Sequence, residues 1–307
     1  MSVRIGVGMA AFPFSSPQAL WRWVDLCEDG DVDSIWQTDR LVSEQPFLEP
    51  LALMAALAAR TERLRFGTNV VVMPLRDPLV VAKQCATIDY LSGGRFVPAF
   101  GVGADGGGDW GATGRDRRAR GARTDEALEI MTRLWDGERV TFEGAHYQYR
   151  DASIAPLPVQ RPLPLWVGGS SAAAVRRTAR LGTGWLAGGQ TVQQVTPVVE
   201  AVRSASAGAG RPLDADHYGA GFAFRFGSWE DDAVRQGVAG LARYGQDIDP
   251  RDYLAVGDIP DVLDRVEAFR AAGISKFVLR PLAVGDADIL EQTRHLIEDV
   301  LPVVHAG

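Results

Sequence analysis

The sequence has little of what marks disulfide or metal chemistry. Cys27 and Cys85 are the only cysteines in 307 residues. Both fall in helix-like stretches, so they suggest no disulfide framework, and the chain reads as a cytoplasmic protein of a reducing compartment. The four histidines, His146, His217, His295 and His305, are scattered without ligand spacing, and no metal site is expected. Lys83 and Lys276 are the only lysines among 32 basic residues, and the net charge of −7 argues against a nucleic-acid surface or a polybasic membrane anchor. No apolar run approaches the ~20 residues of a membrane span. The opening "MSVRIGVGMAAFPF" has no cationic leader followed by an apolar segment and cleavage site, so no signal peptide is expected. The G-x-S-x-G nucleophile motif and Cys–His motifs are missing too.

The remaining composition, 46% hydrophobic and 23% charged, is that of an ordinary globular chain. Short β-type runs alternate with amphipathic helical runs. The strands are expected at 4–10, 33–39, 64–73, 95–103, 164–169, 184–189, 218–227 and 276–282. The first helix, "SPQALWRWVDLCEDG", has Ser16 as its cap and Pro17 at its first position. After the fourth helix, "RVTFEGAHYQYRDASIAPLP" breaks the alternation and reads as a surface hairpin or extended excursion. The fold class is therefore α/β. Eight strand–helix units spell a (β/α)8 TIM barrel, one domain over 1–307, with a small excursion after the fourth unit.

That architecture gives meaning to "DSIWQTDRL" at 33–41, an apolar strand that ends in Asp39 and Arg40. In such a barrel the C-terminal strand ends carry the active site, so the charged pair points at a pocket mouth. Three successive strands end in glycine: Gly101 and Gly103, Gly168 and Gly169, Gly188 and Gly189. Glycine there lets backbone approach a ligand closely, which suggests a broad, flat ligand across the mouth. In "WVGGSS" the glycines precede Ser170 and Ser171 at a helix start, an anion site suited to a phosphate. The stretch "GADGGGDWGATG" (103–114) reads as a mobile lid. The arginines of "RDRRARGARTDEAL" read as a solvated face pairing with Asp116, Asp125 and Glu126, with an acidic cofactor tail as the other possibility. "LALMAALAA" (51–59) is apolar nearly all round, as if covered on two sides, the second by another subunit.

Taken together, "FLEPLALMAALAARTERLRFGTNVVVMPLRDPLVVAKQCATIDYLSGGRF", "GARTDEALEIMTRLWDGERVTFEG", "PLPVQRPLPLWVGGSSAAAVRRTARLGTGWL" and "FRAAGISKFVLRP" resemble the bacterial luciferase-like flavin/deazaflavin oxidoreductase superfamily. The resemblance is strong over roughly 1–190 and looser beyond, and it is nearest to the deazaflavin branch. It implies a barrel binding coenzyme F-420, or alternatively FMN, at its C-terminal face. It implies hydride transfer to or from a small organic substrate. The alternatives are an FMN-dependent monooxygenase using O2 and a non-catalytic flavin-binding barrel. By motif, Asp39 and Arg40 lie where the family's Asp-His pair meets the ring. Thr68, Asn69 and Val70 form a bulge behind it, with a cis Asn69–Val70 bond. Gly101, Val102 and Gly103 flank the ring, and Gly168, Gly169 and Ser170 hold the phosphate. Two departures argue against the family's sugar-phosphate reaction. Arg40 replaces a histidine and cannot exchange protons near neutral pH, and Ala104 replaces an acid. A homodimer or higher homo-oligomer is expected.

Overall fold

The computed structural model describes residues 3–106, 108–243 and 249–306. Its strands are β1 (Arg4–Met9), β2 (Ser34–Gln37), β3 (Arg65–Thr68), β4 (Val71–Val72), β5 (Phe96–Val97), β6 (Ala99–Gly101), β7 (Val140–Glu143), β8 (Gln148–Ala152), β9 (Trp166–Gly168), β10 (Gly184–Leu186), β11 (Tyr218–Ala220), β12 (Ala223–Phe226), β13 (Leu254–Gly257) and β14 (Lys276–Pro281). Parallel pairing runs from β1 through β2 to β3, from β3 to β5 and from β4 to β6, then through β9, β10 and β11 to β14 and back to β1. The ring closes, and the expected barrel is the fold. The expected excursion is the antiparallel β7–β8 hairpin.

Three of the expected strands are broken, each for a local reason. The third divides into β3 and β4 at Asn69 and Val70, and the fourth into β5 and β6 at Pro98, which has no N–H to give a ladder. Thr68 bridges both breaks: its hydroxyl donates to the Ala99 carbonyl (2.8 Å) and accepts from the Ala99 N–H (2.9 Å). The seventh divides at Gly221, where a Cβ would lie 2.0 Å from the Val278 carbonyl oxygen. Strand β13 went unforeseen between two helical runs. It lies outside the ring and pairs with β12 alone.

Alternation along the strands sends Ile35 outward to the helices and Trp36 into the barrel. There Trp36 and Trp166 meet at 6.1 Å between ring centroids. Glycines on neighbouring strands make room for them: a Cβ on Gly67 would lie 2.6 Å from Trp36, and one on Gly184 2.3 Å from Trp166. Val97, Ala99, Leu186 and Val278 complete this inner cluster, so the barrel is plugged below its mouth. Outside, the first helix is Pro17–Asp29, with Ser16 accepting from the Ala19 N–H at 3.2 Å. Trp23 on that helix donates to Thr293 at 2.8 Å, tying the first and last units together. Cys27 and Cys85 are buried and unpaired in their helices, and burial pushes both thiols up. Helix Pro50–Arg60 buries Leu51, Leu53, Met54 and Leu57, while Ala52 and Ala59 face out. Among the described residues no helix is long and apolar enough to cross a membrane.

Candidate active site

The mouth is built where β2 and the β3–β4 break meet. Asp39 is 5% exposed, and both its carboxylate oxygens are engaged. Oδ2 accepts from the Val72 N–H (2.8 Å) and from Arg76 Nη1 (2.5 Å), and Oδ1 accepts from Arg76 Nη2 (3.0 Å). Arg76 reaches on to Glu49 at 2.9 Å. Burial pushes the Asp39 carboxyl up and Arg76 pulls it down. The two-pronged contact favours the charged pair. Asp39 therefore lines the mouth while its oxygens fasten β2 to β4. Its neighbour Arg40 faces Asp109 at 3.8 Å, and Asp109 also accepts from the Val42 N–H at 2.6 Å.

Asp109 opens a short helix, Asp109–Thr113, inside the glycine-rich stretch expected to be a lid. Trp110 from this helix donates to the Ala104 carbonyl at 2.9 Å and packs on Val72 and Leu75. The stretch is thus pinned by a buried indole and a buried carboxylate. The arginine run that follows also finds other partners than expected. Arg117 and Arg120 face Asp105, and Arg123 stacks on Tyr147 at 4.8 Å. Asp125 pairs with Arg177, and Glu126 accepts backbone N–H groups at 145–147.

The Asn69–Val70 bond is cis, and Val70 projects between two neighbouring strand ends. A Cβ on Gly101 would come within 2.5 Å of Val70, and one on Gly168 within 2.7 Å. Gly103, at φ 78°, would meet Val72 at 2.7 Å and Trp110 at 3.0 Å. These three glycines line the smaller cavity, and they also leave room for the protein's own side chains. Gly188 does face open space, with nothing within 4 Å of its missing Cβ. Gly169 adopts φ 108°, a conformation L side chains rarely take, and its nearest neighbour is Ala174 at 3.6 Å. It lies just before helix Ala172–Leu181, capped by Ser171. The Ser170 hydroxyl is turned to Gln190. Thr68 is wholly buried and holds the strand break, so it does not line the mouth.

Two joined cavities result. One of about 380 Å³ lies among Asp39, Val70, Val102, Trp110 and Gly169. The second, about 640 Å³, runs from Arg40 past Met9, Phe47, Phe222 and Leu282 to Arg280. Thr38, Arg40, Asn69 and Gly188 line both. Sequence reasoning missed Arg280, although period-2 alternation could have found it. Lys276 sits over the Trp36 ring and Val278 belongs to the inner cluster, so two residues further on the same face points into the mouth. Lys276 itself pairs with Asp33 near the opposite end of the barrel. Asp214, Asp216 and His217 gather just before β11, at that same end and remote from the mouth.

The model for the luciferase-like monooxygenase family matches residues 3–288. Over 193 residues the chain is 36% identical to the F-420-dependent glucose-6-phosphate dehydrogenase of Beutenbergia cavernae, covering 60% of this chain and 56% of that protein. Over 168 residues it is 37% identical to an uncharacterised protein of Mycobacterium tuberculosis, covering 54% of this chain and 57% of that one. The chain thus spans little more than half the length of the curated relatives it matches. Among solved structures, an F-420-dependent secondary alcohol dehydrogenase superposes with a TM-score of 0.85 at 18% identity, covering 99% of both chains. The monooxygenase RslO1 of Streptomyces bottropensis superposes with a TM-score of 0.83 at 22% identity, covering 98% of this chain and 99% of that one.

Proposed function

The chain belongs to the luciferase-like monooxygenase family, and on that footing we propose that it is an oxidoreductase transferring hydride between coenzyme F-420 and a small organic substrate. The observation that carries this reading is the pair of joined cavities that meet at Arg40. One has the means to hold a phosphate-bearing ring, and the other has room for a second molecule beside it. The naming of 31–36% identical relatives as F-420-dependent favours the deazaflavin over FMN.

The residues fit such a group. Gly169 and Gly188 leave backbone open beside the start of helix Ala172–Leu181, where free N–H groups and the helix dipole favour a phosphate. Val70 offers an apolar surface for one face of a ring, and Asn69 a polar edge. When bound, the deazaflavin supplies two-electron hydride chemistry. Arg40, steadied by Asp109, sits where the cavities join and stabilises negative charge on a substrate oxygen, a role that asks no proton of it. Asp39 is a positioning residue that holds β4, and hence Val70, in place through Val72 and Arg76.

Titration of the purified protein with each cofactor, followed by absorbance, tests the assignment. Saturable spectral change with F-420 at micromolar concentration, and binding of FMN at least tenfold weaker, is expected. Micromolar FMN binding without F-420 binding overturns it in favour of an FMN-dependent monooxygenase.

A further inference from the structure

We infer that the substrate of this site is a largely apolar organic anion bearing a single carboxylate, and that Arg280 is the residue that selects it. The inference rests on the proposed function for the identity of the site, and on the larger cavity for the rest. That cavity is walled by Met9, Phe47, Phe222, Leu241, Leu282 and Ile289, and among the described residues its lining contains no acidic side chain. Among the described residues its only charged side chains are Arg40 and Arg280. Arg40 has its counter-charge in Asp109. The Arg280 guanidinium has no hydrogen bond, ion pair or ring contact among the described residues, although it is partly shielded from water. Three other shielded arginines hold acids: Arg76 holds Asp39, Arg177 holds Asp125, and Arg225 holds Asp231 and Asp288. A guanidinium kept from water without a counter-charge is costly, so its partner is to be sought in what the cavity binds.

One uncompensated guanidinium matches one carboxylate, which it meets with two parallel N–H donors. A phosphate dianion calls for more positive charge than this wall carries, and neither lysine supplies it. Lys276 lies near the other barrel end, and Lys83 lies on an outer helix. The apolar remainder of the wall fits a hydrocarbon or aromatic body rather than a sugar. Arg280 does not line the smaller cavity, where Gly169 and the helix start lie, which sets it apart from the place proposed for the cofactor's phosphate.

The test uses octanoate and octanol as probes, titrated calorimetrically into wild type, Arg280→Met and Arg280→Lys, each saturated with oxidised F-420. Methionine keeps the length and apolar stem of the side chain and removes the charge. Wild type should bind octanoate at least tenfold tighter than octanol. Arg280→Met should bind the two alike with octanol affinity unchanged, and Arg280→Lys should fall between. Absence of octanoate binding to wild type, or an acid preference that survives in Arg280→Met, overturns the inference. A tenfold loss of F-420 affinity in Arg280→Met would assign the arginine to the cofactor's acidic tail and overturn it equally. If neither F-420 nor FMN binds, the proposed function fails, and the same acid-to-alcohol comparison on cofactor-free protein still decides the role of Arg280.

Discussion

At the residue scale, the contrast lies between a charge spent on the fold and one proposed to serve the chemistry. Asp39 and Arg40 are adjacent in sequence and both line the mouth, yet Asp39 is locked to Arg76 and the Val72 N–H. Removing one member of a shielded ion pair leaves the other uncompensated. Asp39→Ala should destabilise the protein by about 3–5 kcal/mol in urea denaturation, and Arg76→Met should do the same. The double variant should cost clearly less than the sum, because each single change already breaks the shared contact. Additive losses would show that the pair is not a unit. Arg40→Ala should leave cofactor affinity within twofold and lower kcat/KM by about 1.5–3 kcal/mol, the usual worth of a hydrogen bond to a charged group. Arg40→His should also retain the cofactor and introduce a pH dependence near neutrality that the arginine enzyme lacks. The sequence put the charged pair at a strand end. It could not separate their roles, because the partner that absorbs Asp39 comes 37 residues later.

At the scale of elements, the β3–β4 break and its neighbouring strand ends behave as fitted parts. Val70 occupies the space a Cβ on Gly101 or Gly168 would need. Gly101→Ala should therefore cost about 1–3 kcal/mol by overpacking. Val70→Ala made together with Gly101→Ala should recover much of that loss while weakening cofactor binding, as read by denaturation and by cofactor titration. A second joint links the first two strand–helix units. Glu28, at the end of helix Pro17–Asp29, accepts the backbone N–H groups of Glu62 (2.8 Å), Arg63 (2.7 Å) and Leu64 (2.9 Å). Burial pushes this carboxyl up, and the three N–H contacts more than offset that, holding it below its ordinary value of 4.5. A carboxylate held low in the folded state adds stability above its unfolded pKa and loses it as pH falls through the folded one. Glu28→Gln should thus cost about 1–2 kcal/mol at neutral pH, with the gap from wild type closing below about pH 4. A gap that is constant from neutral pH to pH 3 would exclude the charge as its source. The bulge at Asn69 and Val70 was expected from the family resemblance, but the fit of Val70 against Gly101 and Gly168 was not legible, because glycine at a strand end has the same letter whether it serves a ligand or a neighbour's methyl group.

At the scale of the whole molecule, the order of the barrel was legible because alternation of short apolar runs with amphipathic ones is a property of the chain alone. The closure of β14 on β1 and the positions of the mouth residues followed from it. Strand β13 was not legible: four residues, directly after the short helix Pro250–Tyr253, carry too little pattern to stand out. The expectation that helix 51–59 is covered on two sides takes a sharper form in the structure. Its inner side packs into the core, and its outer side presents Ala52 and Ala59 beside half-buried Ala55 and Ala56. The neighbouring helix Pro78–Ser92 exposes Val80 (55%), Tyr90 (58%) and Leu91 (57%). Val80 and Leu91 are three turns apart and share a face. Small residues on one helix and large apolar ones on the next give a surface on which a second copy can lie closely, each copy's large residues over the other's alanines. Light scattering after size exclusion should therefore give twice the monomer mass of 33.1 kDa. Ala56→Glu or Leu91→Glu should return the protein to monomer with its far-ultraviolet spectrum unchanged, because the new charge lies outside each chain's own core. A wild-type monomer at tens of micromolar, or a dimer untouched by both substitutions, would place any self-association elsewhere.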